Sequence, residues 1–223
     1  MFAVSVPLNQ HFRAHYNRRM NSPTVPEFPR HDPTTPAFWD ARFEADFTPW
    51  EHAGVPHCLA DYVDRFPEPK RVLIPGCGSA HEARLFLKMK WPVDAIDFSP
   101  AAVARAKATL GPLGASVREA DFFGPDLASD QFDVIYERAF LCALPATLRE
   151  AWATRIAMLL PRDGSLIGFF YFDDSRKGPP FGIDKNALLK LLEKDFDLSE
   201  EREPSDSIPV FAGKERWQVW RRR

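Results

Sequence analysis

Two glycines and a carboxylate follow consecutive strand-like runs at a spacing that could hold a nucleotide. The stretch VLIPGCGSAH, residues 72–81, passes from an apolar run through Gly76 and Gly78 into a helix-like segment. Glycine has no Cβ, so the backbone there can approach a ligand closely. Asp97 ends the next strand-like run, 19 residues after Gly78, where a carboxylate can accept hydrogen bonds from both hydroxyls of a ribose. The pattern predicts a ribose-bearing ligand.

The same loop argues against a ligand that carries a pyrophosphate. A dinucleotide fingerprint places a third glycine or alanine where this chain has His81, whose bulk would separate helix from strand. The stretch also lacks the lysine of a phosphate-cradling G-x-x-x-x-G-K loop. The pattern therefore suits S-adenosylmethionine, and a nicotinamide-dependent oxidoreductase remains as an alternative from a different class.

A second acidic residue follows the next predicted strand. Asp121 stands before Phe122 and Phe123, so its carboxylate could accept from the adenine amino group while an aromatic ring covers the base. The alternative is that Asp121 is a turn or capping residue ahead of Gly124. Its combination with the glycine loop and Asp97 favours the adenine site.

Strand-like and helix-like segments alternate along most of the chain, after two helical segments at 37–46 and 56–65. Such alternation predicts βαβ units, with helices on both faces of a mainly parallel sheet. Apolar runs such as VLI, VDAI and DVIY fit strands that are buried on both faces. The predicted fold class is α/β. The alternating segments are strands 71–75, 93–97, 116–120, 132–136 and 165–172, helices 80–90, 100–110, 146–160 and 184–194, and late strands 196–201 and 216–221.

Composition favours a globular protein without a nucleic-acid or membrane partner. The formal net charge of −2 over 223 residues gives no electrostatic reason to bind nucleic acid. No apolar run reaches the length of a membrane span. Three scattered cysteines imply no disulfide framework and fit a reducing cytoplasm, where a monomer is the default expectation. His52, His57 and Cys58 match no standard metal site, so no metal is predicted.

The first residues differ in composition from the rest. Residues 1–36 have the composition of a disordered, proline-rich arm. Residues 1–19 could precede an internal start at Met20, or the first 26 residues, which are basic and contain no acidic side chain, could act as a targeting signal. Residues 37–223 are then expected to form a single domain, and the segment 37–66 is expected to be helical.

Five motifs resemble one family of enzymes. They are FWDARFEADFTPW (38–50), VLIPGCGSAHEA (72–83), AIDFSPAAVARA (95–106), ADFF (120–123) and YERAFLCALP (136–145). Together they resemble the class I S-adenosylmethionine-dependent methyltransferases, and more closely the thiopurine methyltransferase family. The late segments resemble the microbial halide and thiocyanate methyltransferases of that family. These segments are KGPPFGI (177–183) and DSIPVFAGKERWQVWRRR (206–223).

The resemblance implies a Rossmann-like class I methyltransferase fold. Its mostly parallel seven-stranded sheet would carry helices on both faces, and the segment 37–66 would form an N-terminal helical lid over the cofactor. S-adenosylmethionine would be the cofactor and S-adenosylhomocysteine the product. The implied cofactor-binding residues are Trp39, Phe43, Trp50, Gly76, Gly78, Asp97, Phe98, Asp121, Phe122 and Arg138.

Two of these positions bear on the substrate. Many thiopurine methyltransferases have leucine where Gly76 stands and glutamate where Asp97 stands, so the present residues fit the halide and thiol branch. The resemblance then implies methyl transfer to a small soft nucleophile: a halide, thiocyanate, hydrosulfide or a small thiol. A thiopurine or aromatic thiol is one alternative. Cofactor binding without catalysis is another.

Catalysis of this kind requires positioning and the exclusion of water. Halides and thiocyanate are already anions, and a fixed cation such as Arg138 could stabilise a thiolate. Arg138 could instead be a structural ion-pair partner of Glu137 or of another acid. The hydroxyl of Tyr171 is a candidate donor to an anion. Candidates for a dry aromatic wall are Phe140, Phe169, Phe170, Tyr171, Phe172 and Phe181.

Overall fold

The computed structural model describes residues 26–28, 32–127 and 132–223. The arm predicted over 1–36 lies mostly outside these described residues. The internal start considered at Met20 lies outside them, and so does the targeting signal considered for 1–26 except for its last residue. Nearly all of the expected single domain is described.

Seven strands form one mostly parallel sheet, which confirms the predicted fold class. The strands are β1 (Val72–Pro75), β2 (Val93–Asp97), β3 (Val117–Glu119), β4 (Val134–Arg138), β5 (Ser165–Tyr171), β6 (Phe196–Arg202) and β7 (Glu215–Arg222). Their order across the sheet is β3-β2-β1-β4-β5-β7-β6. Strands β1 to β5 pair in parallel. Strand β7 runs antiparallel between β5 and β6.

Six α-helices accompany the sheet among the described residues. They are α1 (Pro36–Glu44), α2 (His57–Val63), α3 (Ala83–Lys88), α4 (Pro100–Leu110), α5 (Arg149–Leu159) and α6 (Lys185–Leu192). Helix α4 begins where Ser99 Oγ accepts from the N–H of Ala102. Asp184 caps α6 in the same way, by accepting from the N–H of Ala187.

Alternation along each strand separates two apolar cores. In β1, Leu73 packs into one buried cluster with Trp152 and Ile156 of α5. Its neighbours Val72 and Ile74 point to the other face, into a cluster that also holds residues of α2, α3 and α4. Helices therefore cover both faces of the sheet, as predicted.

Helix α3 is shorter than the predicted segment 80–90. Ala80 has a φ of 53°, in the left-handed region where an α-helix cannot start. The chain needs these residues to turn away from β1, and α3 begins only at Ala83. The predicted helix 146–160 is also shorter in the structure, because its first three residues form a 3-10 turn before α5 begins.

The N-terminal helix α1 is fixed on helix α4 by polar contacts. Asp40 Oδ1 accepts from Ser99 Oγ at 2.5 Å and from the N–H of Ala101 at 3.1 Å. Arg105 of α4 donates to Asp46 Oδ1 and to the carbonyl of Phe43, both at 2.6 Å. These contacts hold the aromatic side chains of α1 above the carboxyl edge of the sheet.

The carboxyl ends of β3, β2, β1 and β4 lie side by side at one edge. In that order they present Asp121, Asp97, the loop at Gly76 and Arg138. Ligands of open parallel sheets bind at this edge. Strand order thus brings together residues that are far apart in sequence.

Among residues 26–28, 32–127 and 132–223, no helix combines the length and apolar character needed to cross a bilayer.

Candidate active site

A cavity of about 800 Å³ opens at the carboxyl edge of the sheet, beneath α1. All ten residues that the sequence predicts for the cofactor line this cavity, and Tyr171 does not. Their separate roles remain predictions. The lining residues of the predicted set are Trp39, Phe43, Trp50, Gly76, Gly78, Asp97, Phe98, Asp121, Phe122 and Arg138.

Both glycines of the loop after β1 are required by its shape. Gly76 has a φ of 57°, and a Cβ there would lie 2.4 Å from the ring of Phe140. Gly78 has a φ of 51°, and a Cβ would lie 2.5 Å from Glu51 Oε1. Any other residue at either position would be strained and would also clash with a neighbouring side chain.

Asp97 lies at the end of β2, facing this loop. Its Oδ2 accepts from the N–H of Gly78 and its Oδ1 from the N–H of Ser99, both at 3.0 Å. Burial raises the pKa of Asp97 to about 6, although the two N–H groups oppose that shift. Each carboxylate oxygen can accept more than one hydrogen bond, so Asp97 still has acceptor capacity for a ribose.

Aromatic rings from α1 and the following loop form the outer wall of the cavity. Trp39 and Trp50 meet edge to face with ring centroids 5.5 Å apart, and Phe43 lies 6.1 Å from Trp50 in the same geometry. The indole N–H of Trp39 donates to the carbonyl of Pro33 at 2.8 Å, which fixes its ring. This wall is suited to shielding a bound ligand from water.

The opposite end of the cavity is also aromatic. Phe122 is buried, and its ring meets those of Phe123 and Phe140 with centroids 5.2 Å from each. Asp121 is exposed, and its Oδ1 accepts from the N–H of Phe123 at 2.9 Å, which is a turn contact. Both predicted roles of Asp121, turn residue and acceptor for adenine, are compatible with this placement because its second oxygen is left for a ligand.

Arg138 is the buried cation of the site. Its side chain is 6% exposed, and its Nη1 lies 3.3 Å from Glu82 Oε1. Its Nε and Nη2 are buried and hydrogen-bond to no carboxylate of the described residues, while the buried hydroxyl of Tyr136 is close enough to interact with the guanidinium. The guanidinium also lies over the ring of Phe169, 4.4 Å from its centroid. Arg138 therefore forms an ion pair with Glu82. The sequence left open a structural ion pair with Glu137 or with another acid, and Glu82 is that other acid.

The structure corrects the predicted aromatic wall of β5. Tyr171 lies outside the cavity, and its hydroxyl donates to Asp173 Oδ2 at 3.1 Å. Its ring packs on Phe211, 5.1 Å between centroids, and Phe211 lines the cavity instead. Of the other wall candidates, only Phe140 lines the cavity. Those outside it are Phe169, Phe170, Phe172 and Phe181.

Two carboxylates of the cavity were missed by the sequence analysis. Glu51 Oε1 accepts from the N–H of Ser79 at 2.6 Å, and its Oε2 accepts from Ser79 Oγ at 2.7 Å. Glu82 follows the same loop and pairs with Arg138. Their positions in the sequence could have indicated them, because Glu51 directly follows Trp50 and Glu82 lies just beyond the glycine loop.

Neither cysteine of the site is suited to act as a nucleophile. Burial raises the pKa of both Cys77 and Cys142, which line the cavity. Over the described part of the chain, no group of three or more metal-binding side chains is present.

Comparisons with known proteins agree with this geometry. The family model "Thiopurine S-methyltransferase (TPMT)" matches residues 34–223. Thiocyanate methyltransferase 1 of Arabidopsis thaliana is 30% identical over 194 residues, covering 82% of this chain and 84% of that protein. Thiopurine S-methyltransferase of Pseudomonas syringae pv. tomato is 28% identical over 204 residues, covering 80% and 92%.

A solved structure supports the fold independently. It is a 1,6-didemethyltoxoflavin-N1-methyltransferase of Burkholderia thailandensis, with a TM-score of 0.67 at 16% identity, and it covers 88% of this chain and 93% of that one. That protein was crystallised with S-adenosylhomocysteine. The family match spans the whole described sheet and every residue of the cavity except Phe28 and Pro33. The chain belongs to the thiopurine S-methyltransferase family and is a methyltransferase.

Proposed function

We propose that this methyltransferase uses S-adenosylmethionine to methylate a small soft nucleophile, namely a halide, thiocyanate, hydrosulfide or a small thiol, and releases S-adenosylhomocysteine. The observation that carries the substrate proposal is the buried guanidinium of Arg138. Two of its guanidinium nitrogens are buried and hydrogen-bond to no carboxylate of the described chain, at the wall of a cavity lined by aromatic rings. Buried cationic donors that lack an acidic partner favour an anion as acceptor.

The residues of the cavity fit the cofactor in the order of the strands. Phe122 and Asp121 after β3 would hold the adenine, and Asp97 at the end of β2 would hold the ribose. The loop at Gly76 after β1 lines the cavity through its backbone, and a Cβ there would clash with the ring of Phe140. Arg138 at the end of β4 then lies at the far end of this row, where the substrate would enter.

The chemistry required of the protein is modest. When bound, S-adenosylmethionine supplies a methyl group on a positively charged sulfur. Trp39, Phe43 and Trp50 exclude water, which removes the hydration shell of a small anion and makes it a stronger nucleophile. Arg138 holds the anion in line with the methyl group, and such alignment contributes about 7–11 kcal/mol to lowering the barrier.

Names of the relatives also support this substrate class. The Arabidopsis relative is called a thiocyanate methyltransferase, and a second Arabidopsis relative, 31% identical over 160 residues, is called a probable thiol methyltransferase. Gly76 and Asp97 also agree with the halide and thiol branch implied by the resemblance. The name of the Pseudomonas relative favours a thiopurine as the second candidate substrate.

The test is a parallel assay of the purified protein with S-adenosylmethionine and iodide, bromide, thiocyanate, hydrosulfide, thiophenol or 6-mercaptopurine. Headspace gas chromatography detects volatile methyl products, and formation of S-adenosylhomocysteine reports total turnover. We expect turnover with iodide, bromide, thiocyanate and hydrosulfide. Turnover with the two aromatic thiols alone would move the enzyme to the thiopurine side. Cofactor binding without turnover on any nucleophile would refute the proposed activity.

Replacement of the buried cation tests the observation itself. We expect Arg138→Ala to lower kcat/KM for iodide and thiocyanate by roughly 10²-fold, the effect of removing one preorganised charge-stabilising group. Arg138→Lys keeps the charge but not the planar array of donors, so it should retain part of the activity. Full activity of the alanine variant on both anions would remove Arg138 from the mechanism.

A further inference from the structure

The acidic partner of Arg138 is itself exposed to the cavity. Glu82 and Arg138 both line it, and their closest atoms, Glu82 Oε1 and Arg138 Nη1, are 3.3 Å apart. The Glu82 side chain is only 15% exposed. In the described residues, Arg138 is the only other side chain that donates a hydrogen bond to it. Its carboxylate therefore has free acceptor capacity in a largely dry site.

Several charged or titratable groups surround this carboxylate. Arg138 and His81 favour its charged form, and the nearby carboxylate of Glu51 opposes it. Tyr136 and Glu215 act on the pair from the sheet, through Arg138. Burial raises the pKa of Glu82, and Arg138 opposes the shift. The balance makes Glu82 a better proton acceptor than a solvent-exposed glutamate.

We propose that Glu82 is the general base that deprotonates thiol substrates, while halides and thiocyanate use the same site without it. The proposal rests on the proposed function, since it concerns the substrates of that site. A free thiol has a pKa of about 8.5 and must lose its proton to become a strong nucleophile. Glu82 lies in the cavity wall, at hydrogen-bonding distance from the cation that would face the resulting thiolate.

The proton and electrons balance without another reactant. The thiol transfers its proton to the carboxylate of Glu82, which becomes a neutral acid. The sulfur lone pair then forms the bond to the methyl carbon, and the bond from that carbon to the donor sulfur breaks with both electrons staying on the donor. The proton passes from Glu82 to water when the methyl thioether leaves.

Loss of the Glu82 carboxylate should affect the methylation rates of thiols and of anions differently. A thiol needs the carboxylate as a base. An iodide or thiocyanate ion carries no proton, and a carboxylate close to Arg138 repels it and weakens the local positive field. Removal of the charge should therefore impair methylation of the thiol and leave methylation of the anion unchanged or improved.

The experiment compares Glu82→Gln with the wild-type protein on iodide and on an alkyl thiol of pKa about 8.5. At pH 7 we expect kcat/KM for the thiol to fall by roughly 10²-fold, the usual contribution of a general base. For iodide we expect an unchanged or higher value. The thiol activity of the variant should also rise about tenfold per pH unit up to the thiol pKa, because only the thiolate already present can react.

A matched control separates proton transfer from electrostatics. Glu215 is buried, interacts with Arg138 and does not line the cavity. Glu215→Gln removes the same charge without removing a base that can reach the substrate, so both substrates should change by the same factor. Affinity for S-adenosylhomocysteine, measured by calorimetry, should stay within about twofold in Glu82→Gln, which shows that the fold and cofactor site are intact.

The outcomes distinguish this proposal from the proposed function. If the wild-type protein methylates neither iodide nor the thiol, the proposed function fails. If it methylates both and Glu82→Gln lowers both equally, Glu82 only positions Arg138 and the base assignment is overturned. Equal loss with no recovery at high pH would lead to the same conclusion.

Discussion

At the scale of single residues, the protonation of Asp97 should control cofactor affinity. Its pKa is raised to about 6, chiefly by burial. Above that pH the carboxylate is charged and accepts strongly from ribose hydroxyls; as the pH falls through about 6 it gains a proton and loses acceptor strength. The same raised pKa means that charging this group costs folding free energy as the pH rises from about 4 to 6.

We therefore expect the affinity for S-adenosylhomocysteine to fall between pH 7 and pH 5, with a slope approaching tenfold per pH unit below 6. Calorimetric titrations across this range measure it. Asp97→Asn keeps one acceptor oxygen and cannot titrate, so its affinity should be weaker at pH 7 and nearly independent of pH. A wild-type profile as flat as that of the variant would contradict the role given to Asp97.

Residues at strand ends were predictable, and their partners were not. Gly76 and Asp97 could be assigned because the end of a parallel strand points to the ligand edge whatever the rest of the fold does. Glu82 and Arg138 meet only because β1 and β4 are neighbours in the sheet. The position of Tyr171 outside the cavity lining could not be predicted, because strand alternation gives two faces and only tertiary packing brings its ring against Phe211.

At the scale of elements, the position of α1 depends most on the half-buried carboxylate of Asp40. Asp40 accepts from Ser99 Oγ and from the N–H of Ala101, at the first turn of α4. We expect Asp40→Ala to loosen α1, which carries Trp39 and Phe43, and to weaken cofactor binding by roughly tenfold. This is the effect of losing hydrogen bonds to a charged group.

Hydrogen exchange and calorimetry together measure this change. Amides of residues 37–45 should exchange faster in Asp40→Ala, while those of β1 and β4 should not change. Asp46→Ala is the control, because Asp46 is an exposed partner of Arg105 and exposed ion pairs contribute little. If both variants weaken binding equally, the anchoring role of Asp40 is wrong.

Helices and strands were predictable where the apolar pattern alone decides them. Strand β2 and helix α4 match their predicted ranges, 93–97 and 100–110, because an apolar run ends at Asp97 and Ser99-Pro100 marks a helix start. The pattern could not show that Ala80 takes a left-handed conformation, which delays α3. That conformation comes from the turn of the cofactor loop and leaves no local signature.

At the scale of the whole molecule, stability and function reside in different parts. Trp152 is fully buried in the core between α5 and the sheet and does not line the cavity. We expect Trp152→Ala to lower the free energy of unfolding by about 3–5 kcal/mol, the usual cost of such a cavity. Urea titration measures it, and the affinity for S-adenosylhomocysteine of the folded protein should stay within about threefold.

Trp152→Phe serves as the matched control. The indole Nε1 of Trp152 is buried without a hydrogen-bond partner among the described residues, so phenylalanine keeps most of the packing and removes an unsatisfied donor. Its loss of stability should be well below that of the alanine variant. If both variants lose the same stability, strain around the substituted side chain, rather than the buried volume removed, determines the loss.

The fold class followed from the alternation of segments, but the strand order did not. Two late strands were predicted without any indication that β7 lies inside the sheet. Sequence periodicity shows that a strand is buried on both faces, as Trp217 and Trp220 are, yet it does not show which strands flank it. That choice depends on long-range pairing of β7 with both β5 and β6.

The interior place of β7 has a consequence for how the protein is made. Strand β5 is complete at Tyr171, but its neighbour β7 ends at Arg222, about 50 residues later. At a synthesis rate of about 5–20 residues per second, the growing chain spends roughly 3–10 s with β5 lacking one neighbour. During that time the unpaired backbone of β5 is open to other nascent chains. The sheet can close only once β7 has been synthesised, so ribosome pausing within residues 172–222 should reduce the yield of folded enzyme.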